Sequence, residues 1–526
     1  MKESIVTINS FYGGIARDDK PKTAGVGSNF EELDIFQSAD YVIPEQIMSA
    51  DTMPATTEIY SYTAGDDDVV YGYGRETAAS KVRIVSAASG GATNPGAFGT
   101  LFTSSDATNL YTQISPIKFF RTTEASNPTS LYYIHGTGAS WYLARYNIGA
   151  AAEQRWTGSE WSASGSPDTN CQLTGLTGSF DRPTMKVIYG ELFICHNQYI
   201  AKCDKDGVFT KLAFTLPKEW EAIDIVPVSD VGLILARNKN RLVNETRCFW
   251  WDLTSEMQFN DSYSLPMGGA QWMINYKESI YQFLAQNGIG KFYVSRAWAG
   301  DRPVELPGIR MLNIATETSA QPISSSSMIG TKDGILYFDV WKTDKSGIYA
   351  LGQLDNDKPY ALILSKRFAT TDYSLHKPHG LLIQGSNYYA SFLDNTTESN
   401  SRCETLNSPT RSSVAIYESS WIDARAPYNN KTLSDVILMT KKIPASCSFT
   451  CYVASDYDDT YTEVKRVDGS VFNTLYGVLA RMIGGTIKTN QKAFKVKVAW
   501  TSNTTSYASL LAISLNMKID EKPADI

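Results

Sequence analysis

The sequence predicts a mainly β protein: a β-propeller of about seven blades, with a docking N-terminal arm before it and an antiparallel β-sandwich after it. Three observations lead there. The 526-residue chain carries 30 Tyr, 21 Phe and 11 Trp, and Ser, Thr, Asn and Gly dominate the intervals between these rings. Rings and β-branched residues suit a pleated, half-buried surface, while Gly, Asn, Asp and Ser supply turns between short strands. A phrase of two apolar, ring-rich strands recurs between residues 57 and 411, at a spacing of roughly 40 to 50 residues. Strict two-residue alternation then marks the C-terminal part of the chain.

The first segment, 1–56, has short apolar pieces separated by Gly and Ser, such as Phe11-Tyr12-Gly13-Gly14-Ile15-Ala16 and Gly25-Val26-Gly27-Ser28-Asn29-Phe30. It has no long periodic run, so it needs another surface to order it. Its expected contacts are Phe11, Tyr12, Gly13, Gly14, Ile15, Phe30, Leu33 and Ile35.

In the second segment, 57–411, Leu131–Ile134 precedes Trp141–Tyr146, Val187–Ile194 precedes Tyr199–Asp204, and Gly232–Ala236 precedes Cys248–Asp252. Ser279–Leu284 before Lys291–Val294, and Asp333–Phe338 before Gly347–Leu351, repeat the phrase. A first copy near Ile59–Val85 and a last near Gly385–Ala390 complete the series. Units of three or four strands at this period stack as propeller blades; two ordinary β-sandwiches are the alternative.

In the third segment, 412–526, Phe494, Val496, Val498 and Trp500 alternate with Ala493, Lys495, Lys497 and Ala499, and Leu511 to Ile519 alternates in the same way. These are half-buried antiparallel strands. With Leu433–Met439 and Cys447–Val453 they make one sandwich. Gly469–Gly485 reads as a short helix or an excursion between strands.

Charge and chemistry narrow the function. With 48 Lys+Arg against 55 Asp+Glu the net charge is −7, and no basic block offers a dedicated nucleic-acid site. Ile84–Ser105 is uncharged but filled with Ser, Gly, Thr, Asn and Pro, so no transmembrane helix is expected. The opening lacks the apolar core of a secretion signal, which points to synthesis in a cytoplasm. Seven Cys without paired CxxC spacing argue against a disulfide framework or zinc ribbon.

Four His limit triad and His-metal arrangements. His376-Lys377-Pro378-His379 reads as a loop, and His196 as a sheet residue. Asp66-Asp67-Asp68 and Asp456-Tyr457-Asp458-Asp459 lack the spaced loop of a calcium site, and the second reads as a hairpin turn. No cofactor, metal or nucleotide site is expected, and no enzyme. A glycan hydrolase needs two facing carboxylates, or a Tyr nucleophile with an acid and an arginine cluster; nothing in the sequence selects such a set.

Phe11-Tyr12-Gly13-Gly14-Ile15-Ala16, followed by Gly25 to Ile35, resembles the opening of tailed-bacteriophage virion proteins. There a Gly-Gly-Ile-Ala phrase precedes Gly-Ser-Phe and an apolar-Asp-Ile strand; here Asn29 interrupts Gly-Ser-Phe. Tyr417–Ala424, Lys441–Ile443, Tyr461–Val464 and Ile519-Asp520 resemble their closing sandwich. The resemblance implies a virion structural protein made in the host cytoplasm, a tail nozzle or hub component, forming a symmetric homo-oligomer around the tail axis. Its partners would be further copies of itself and neighbouring tail proteins, on which residues 1–50 would lie. The alternatives are a tail protein that binds or hydrolyses host-surface glycan, and a non-viral propeller binding module.

Overall fold

In the computed structural model, the residues described are all except 1, 12–13, 16–25, 39–40, 51–52, 67, 77–80, 88–96, 105–115, 126–127, 138–139, 164–168, 174–182, 241–242, 244, 299–300, 315–328, 343–344, 356–357, 368–375, 386, 395–399, 406–410, 466–471, 474–479, 483–488, 504–505 and 524–526. The chain is mainly β, and its middle is a seven-bladed propeller. Antiparallel meanders form the blades. Their innermost strands are Thr57–Ala64, Ile117–Arg121, Thr184–Ile188, Trp220–Val228, Ala270–Tyr276, Ile329–Lys332 and His376–Gln384 for blades 1 to 7. The ring closes where the innermost strand of blade 7 packs on that of blade 1. The outermost strand of blade 7 is Ser49–Ala50, supplied from the N-terminal segment.

Each seam between blades holds its own apolar cluster, and strand alternation explains why. In blade 4, Leu233 and Leu235 face blade 5, while Ile234 and Ala236 face blade 3. Rings fill these seams: Trp251 stacks on Phe214 at 4.8 Å, and Trp272 lies 5.4 Å from Phe338 across the seam of blades 5 and 6. Burying one such side chain contributes about 1.5–3 kcal/mol, so the alternating apolar pattern itself holds the ring.

Four innermost strands carry a register shift where they reach the axis, after Ile59, Ala222, Ala270 and Pro378. A bulge re-aims the extra residue, here Tyr60, Ile223, Gln271 and His379. His379 is buried in a strand, with its ring 5.2 Å from that of Tyr60. The loop expected around His376–His379 is thus the inner strand of blade 7, disguised by Pro378 at its bulge.

Blade 5 begins at Gly269, whose φ of +77° lies in the left-handed region. An added Cβ would sit 1.9 Å from the Ala285 carbonyl oxygen. Gly269→Ala is expected to cost about 1–2 kcal/mol for the backbone and ~1–3 more for the clash, read as a lower denaturation midpoint in urea.

The C-terminal sandwich forms as expected, from two sheets sharing one core. One sheet contains Lys2–Ile8, Leu510–Pro523, Asn429–Thr440 and Ala480–Met482; the other runs through Val26–Glu31, Ile416–Ser419, Phe494–Thr501, Ser448–Ser455 and Asp458–Val464. Val436, Leu438, Ile513 and Leu515 from the first meet Phe449, Val453, Val496 and Trp500 from the second. Two N-terminal strands thus belong to this sandwich. Val26–Glu31 also lies parallel to Ala361–Arg367, the outer strand of blade 6, so one sheet continues from propeller to sandwich.

The arm expected to dock on a neighbour is therefore corrected: its described apolar residues are buried against its own chain. Phe11 and Phe30 pack edge-on against Tyr417 at 5.1 and 5.0 Å, and Leu33 and Ile35 lie in the same core. Gly14-Ile15 forms a short strand beside Val26-Gly27, whereas Tyr12 and Gly13 fall outside the described residues. The physical reason is proximity in space: Leu364 and Tyr417 supply in cis the surface the segment needs.

Polar groups reinforce this join. Glu31 pairs with Lys345 and Arg367, Glu32 accepts from the Ser412 hydroxyl and the Arg367 amide, and Glu45 pairs with Lys366 at 3.3 Å. Burial raises the Glu31 carboxyl, yet the Lys345 and Arg367 charges outweigh it and hold the group below its usual range. Asp34, buried beside Glu45, is pushed up to about 6.

Candidate functional site

A cavity of about 420 Å³ opens at the seam of blades 2 and 3, within the size range of small-molecule sites. Arg145 and Asn147 reach it from the strand Ser140–Asn147, Gln154 and Trp156 from Ala152–Trp156, Glu160 from the following turn and Trp161 from the short strand Trp161–Ser162. Blade 3 contributes Asp206 and Gly207, while Glu124 comes from the loop after the inner strand of blade 2.

Arg145 organises the site. Its Nε donates to Gln154 Oε1 at 2.8 Å, and its Nη1 to Glu124 Oε1 at 3.0 Å and to the Tyr132 hydroxyl at 3.3 Å. Its guanidinium lies 4.8 Å from the Trp161 ring centroid. The Trp161 indole donates to the Gly207 carbonyl at 2.7 Å, tying the two blades together. Gly207 has φ +83°, and a Cβ there would come within 2.5 Å of Glu124 Oε1, so the turn both needs glycine and brings its backbone against the carboxylate.

Asp206 accepts from the Thr123 hydroxyl, while Asp204 Oδ1 caps the amides of Asp206 and Val208 at 3.0 and 2.9 Å. Three carboxylates, two amides and one fixed guanidinium thus surround a space walled by two indoles. This set can hold a hydroxyl-rich ligand through charge-assisted hydrogen bonds.

Sequence reading missed these residues because no fixed spacing joins Glu124, Arg145, Glu160 and Asp206; Arg145 within a ring-rich strand was the available signal. Elsewhere, Asp456 and Tyr457 form the tight turn of the expected hairpin, both with positive φ. Asp66 pairs with Arg121 at 3.0 Å in a turn of blade 1. The described Cys are free and buried, and burial pushes the Cys195, Cys203, Cys248 and Cys451 thiols up to about 12. Among the described residues no cluster of three or more His, Cys, Asp or Glu could hold a metal, and no helix is long and apolar enough to cross a membrane.

No protein-family model matches the chain, and no curated protein is similar to it. Among solved structures it is similar to an exo-β-1,3-galactanase from Phanerochaete chrysosporium, at 11% identity over 89% of this chain and 100% of that one, with a TM-score of 0.26. An α-L-arabinofuranosidase from Fusarium graminearum matches at 8% identity over 69% of this chain and 96% of that one, with a TM-score of 0.33. A protein from Lactobacillus plantarum matches at 9% over 69% and 100%, with a TM-score of 0.39. Because these neighbours include glycoside hydrolases, the expectation that the chain is not an enzyme is withdrawn.

Proposed function

We propose that this chain is a glycan-engaging propeller protein of a tailed-bacteriophage virion, with the cavity between blades 2 and 3 as its saccharide site. One observation carries the reading: Arg145 is held in place by Glu124, Gln154 and the Trp161 face, at the wall of a polar cavity large enough for a small sugar. Preorganised donors and acceptors lose little freedom when a ligand binds. The virion context is supported by the N-terminal and C-terminal phrases that resemble those of phage proteins.

The test is titration calorimetry of the full chain with fragments of host envelope polysaccharide. Wild type is expected to bind, and both Arg145→Ala and the more conservative Glu160→Gln to weaken binding about ten- to a hundred-fold, the loss of one charge-assisted hydrogen bond. No binding by wild type, or equal binding by a folded Glu160→Gln variant, sinks the saccharide assignment. Release of reducing ends in the same samples decides whether the sugar is also cleaved. Gold-labelled antibody on phage particles tests the virion context separately, where absence of label rejects it.

A symmetric assembly also belongs to this reading. Lys2–Ile8 is an edge strand of the sandwich, and its Ile5 is 69% exposed. An open edge with an exposed apolar side chain is a template for a further strand.

A further inference from the structure

The propeller axis holds a second polar constellation, separate from the cavity. Lys186, on the inner strand of blade 3, reaches Asp224 Oδ1 of blade 4 at 2.8 Å and the Met273 carbonyl of blade 5 at 2.6 Å. Asp224 is fully buried, and its carboxylate also accepts the amides of Ile225 and Met273, each at 2.9 Å. A single lysine thus links three blades across the axis.

Lys118, on the inner strand of blade 2, lies within electrostatic reach of both Lys186 and Asp224. Among the described residues nothing accepts a hydrogen bond from its ammonium. Both lysine side chains keep partial exposure whereas Asp224 has none. Two cations against one carboxylate leave an excess positive charge, inside a chain whose net charge is −7. A half-buried cation without an acceptor is costly, and a bound anion relieves that cost.

We propose that the inner strands of blades 2 to 4 bind an oxyanion, a carboxylate or a sulfate-like group, on the Lys118 ammonium beside the Lys186–Asp224 pair. The surroundings of Lys118 agree with this: burial first, and then Lys186, push its ammonium down to about 8 while Asp224 opposes them. A bound anion would reverse that shift. The site is independent of the saccharide cavity and does not rest on it.

Full-length protein is titrated calorimetrically at constant ionic strength with sodium sulfate and, separately, with sodium glucuronate, both of which keep their charge from pH 6 to 9. Saturable one-site binding of sulfate is expected, and of glucuronate in an Arg145→Ala background, which removes the contribution of the saccharide cavity; sulfate alone identifies a free inorganic oxyanion as the ligand type, and glucuronate an acidic sugar. Lys118→Met should weaken binding at least ten-fold, Lys118→Arg should retain it, and Arg145→Ala in the other cavity should leave it unchanged.

Wild-type affinity should also fall as pH rises past about 8, a measurement that stands even where Lys118→Met does not fold. Failure of both probes to bind at ~10 mM, binding unchanged in a folded Lys118→Met variant, or affinity flat across that pH range overturns the proposal.

Discussion

Replacing Asp339 by Asn is expected to stabilise the chain at neutral pH and to remove a slope from its pH dependence. Asp339 sits on the second strand of blade 6, fully buried, and among the described residues neither carboxyl oxygen has a hydrogen-bond partner. Burial pushes its pKa well above the carboxylate range, so the folded chain retains this proton. The unfolded chain releases it near pH 4. Between those two values the folded state binds more protons than the unfolded state, and stability falls as pH rises, by about 1.4 kcal/mol per pH unit.

Asn has similar volume and no charge, though its amide must still be buried. The net gain at pH 7 is therefore expected at about 1–3 kcal/mol, the ionisation penalty partly offset by an unpaired amide. Urea unfolding of both proteins at pH 5, 7 and 8.5 gives the answer. The stability difference should widen with pH, and a constant difference would show that Asp339 is charged or solvated in the folded chain.

Arg367→Met is expected to loosen the join between propeller and sandwich. Arg367 pairs with Glu31 and donates its amide to Glu32, and both carboxylate side chains are less than a tenth exposed. Glu31 keeps its pairing with Lys345, so removing Arg367 leaves the buried carboxylate only partly compensated, at a cost below the ~3–5 kcal/mol of a wholly unpaired buried charge. Scanning calorimetry should show a lower transition temperature, and Glu31→Gln in the Arg367→Met background should recover part of the loss. If the double variant is no more stable than Arg367→Met, the two residues are not coupled.

The pH sign here is opposite to that of Asp339. Glu31 has a depressed pKa in the folded chain, so its contribution is present above its unfolded value and disappears as pH falls through the folded one. Acid therefore weakens the join, whereas alkali penalises blade 6.

What could be read from the sequence follows from where each strand lies. The recurring phrase corresponds to the second and third strands of the blades, such as Val231–Asn238 with Thr246–Trp251 and Ser279–Gln286 with Ile289–Arg296. Those strands are covered on both faces by neighbouring blades and so read as apolar runs. Inner strands carry Lys118, Lys186, Asp224 and His379 together with bulges, which break the alternation. Outer strands are short or exposed, as at Asp261–Ser264.

One phrase was read as a single strand, Val187 to Ile194, but it contains a hairpin: Tyr189 and Gly190 both have positive φ, and the strands Thr184–Ile188 and Glu191–His196 flank them. Tyr189 hides that turn among apolar residues. The region 469–485 contributes short strands at Phe472–Asn473 and Ala480–Met482. The N-terminal apolar residues mark a segment that needs a surface to pack on, but pairing of Glu31 with Leu364, or Phe30 with Tyr417, leaves no local mark in the sequence.

The same long-range pairing sets an order of events during synthesis. Lys2–Ile8 finds its strand partner only at Ile513–Ile519, and Ser49–Ala50 only at Glu404-Thr405. At about 5–20 residues per second on the ribosome, the earliest strands to emerge wait tens of seconds for the latest. Through that interval an incomplete ring and single open strands face solvent together, the state most exposed to mispairing. Closure of the ring and completion of the sandwich are consequently late steps that use different strands of the same N-terminal segment, so a chain stalled before its C-terminal strands leaves Lys2–Ile8 unpaired within its own molecule.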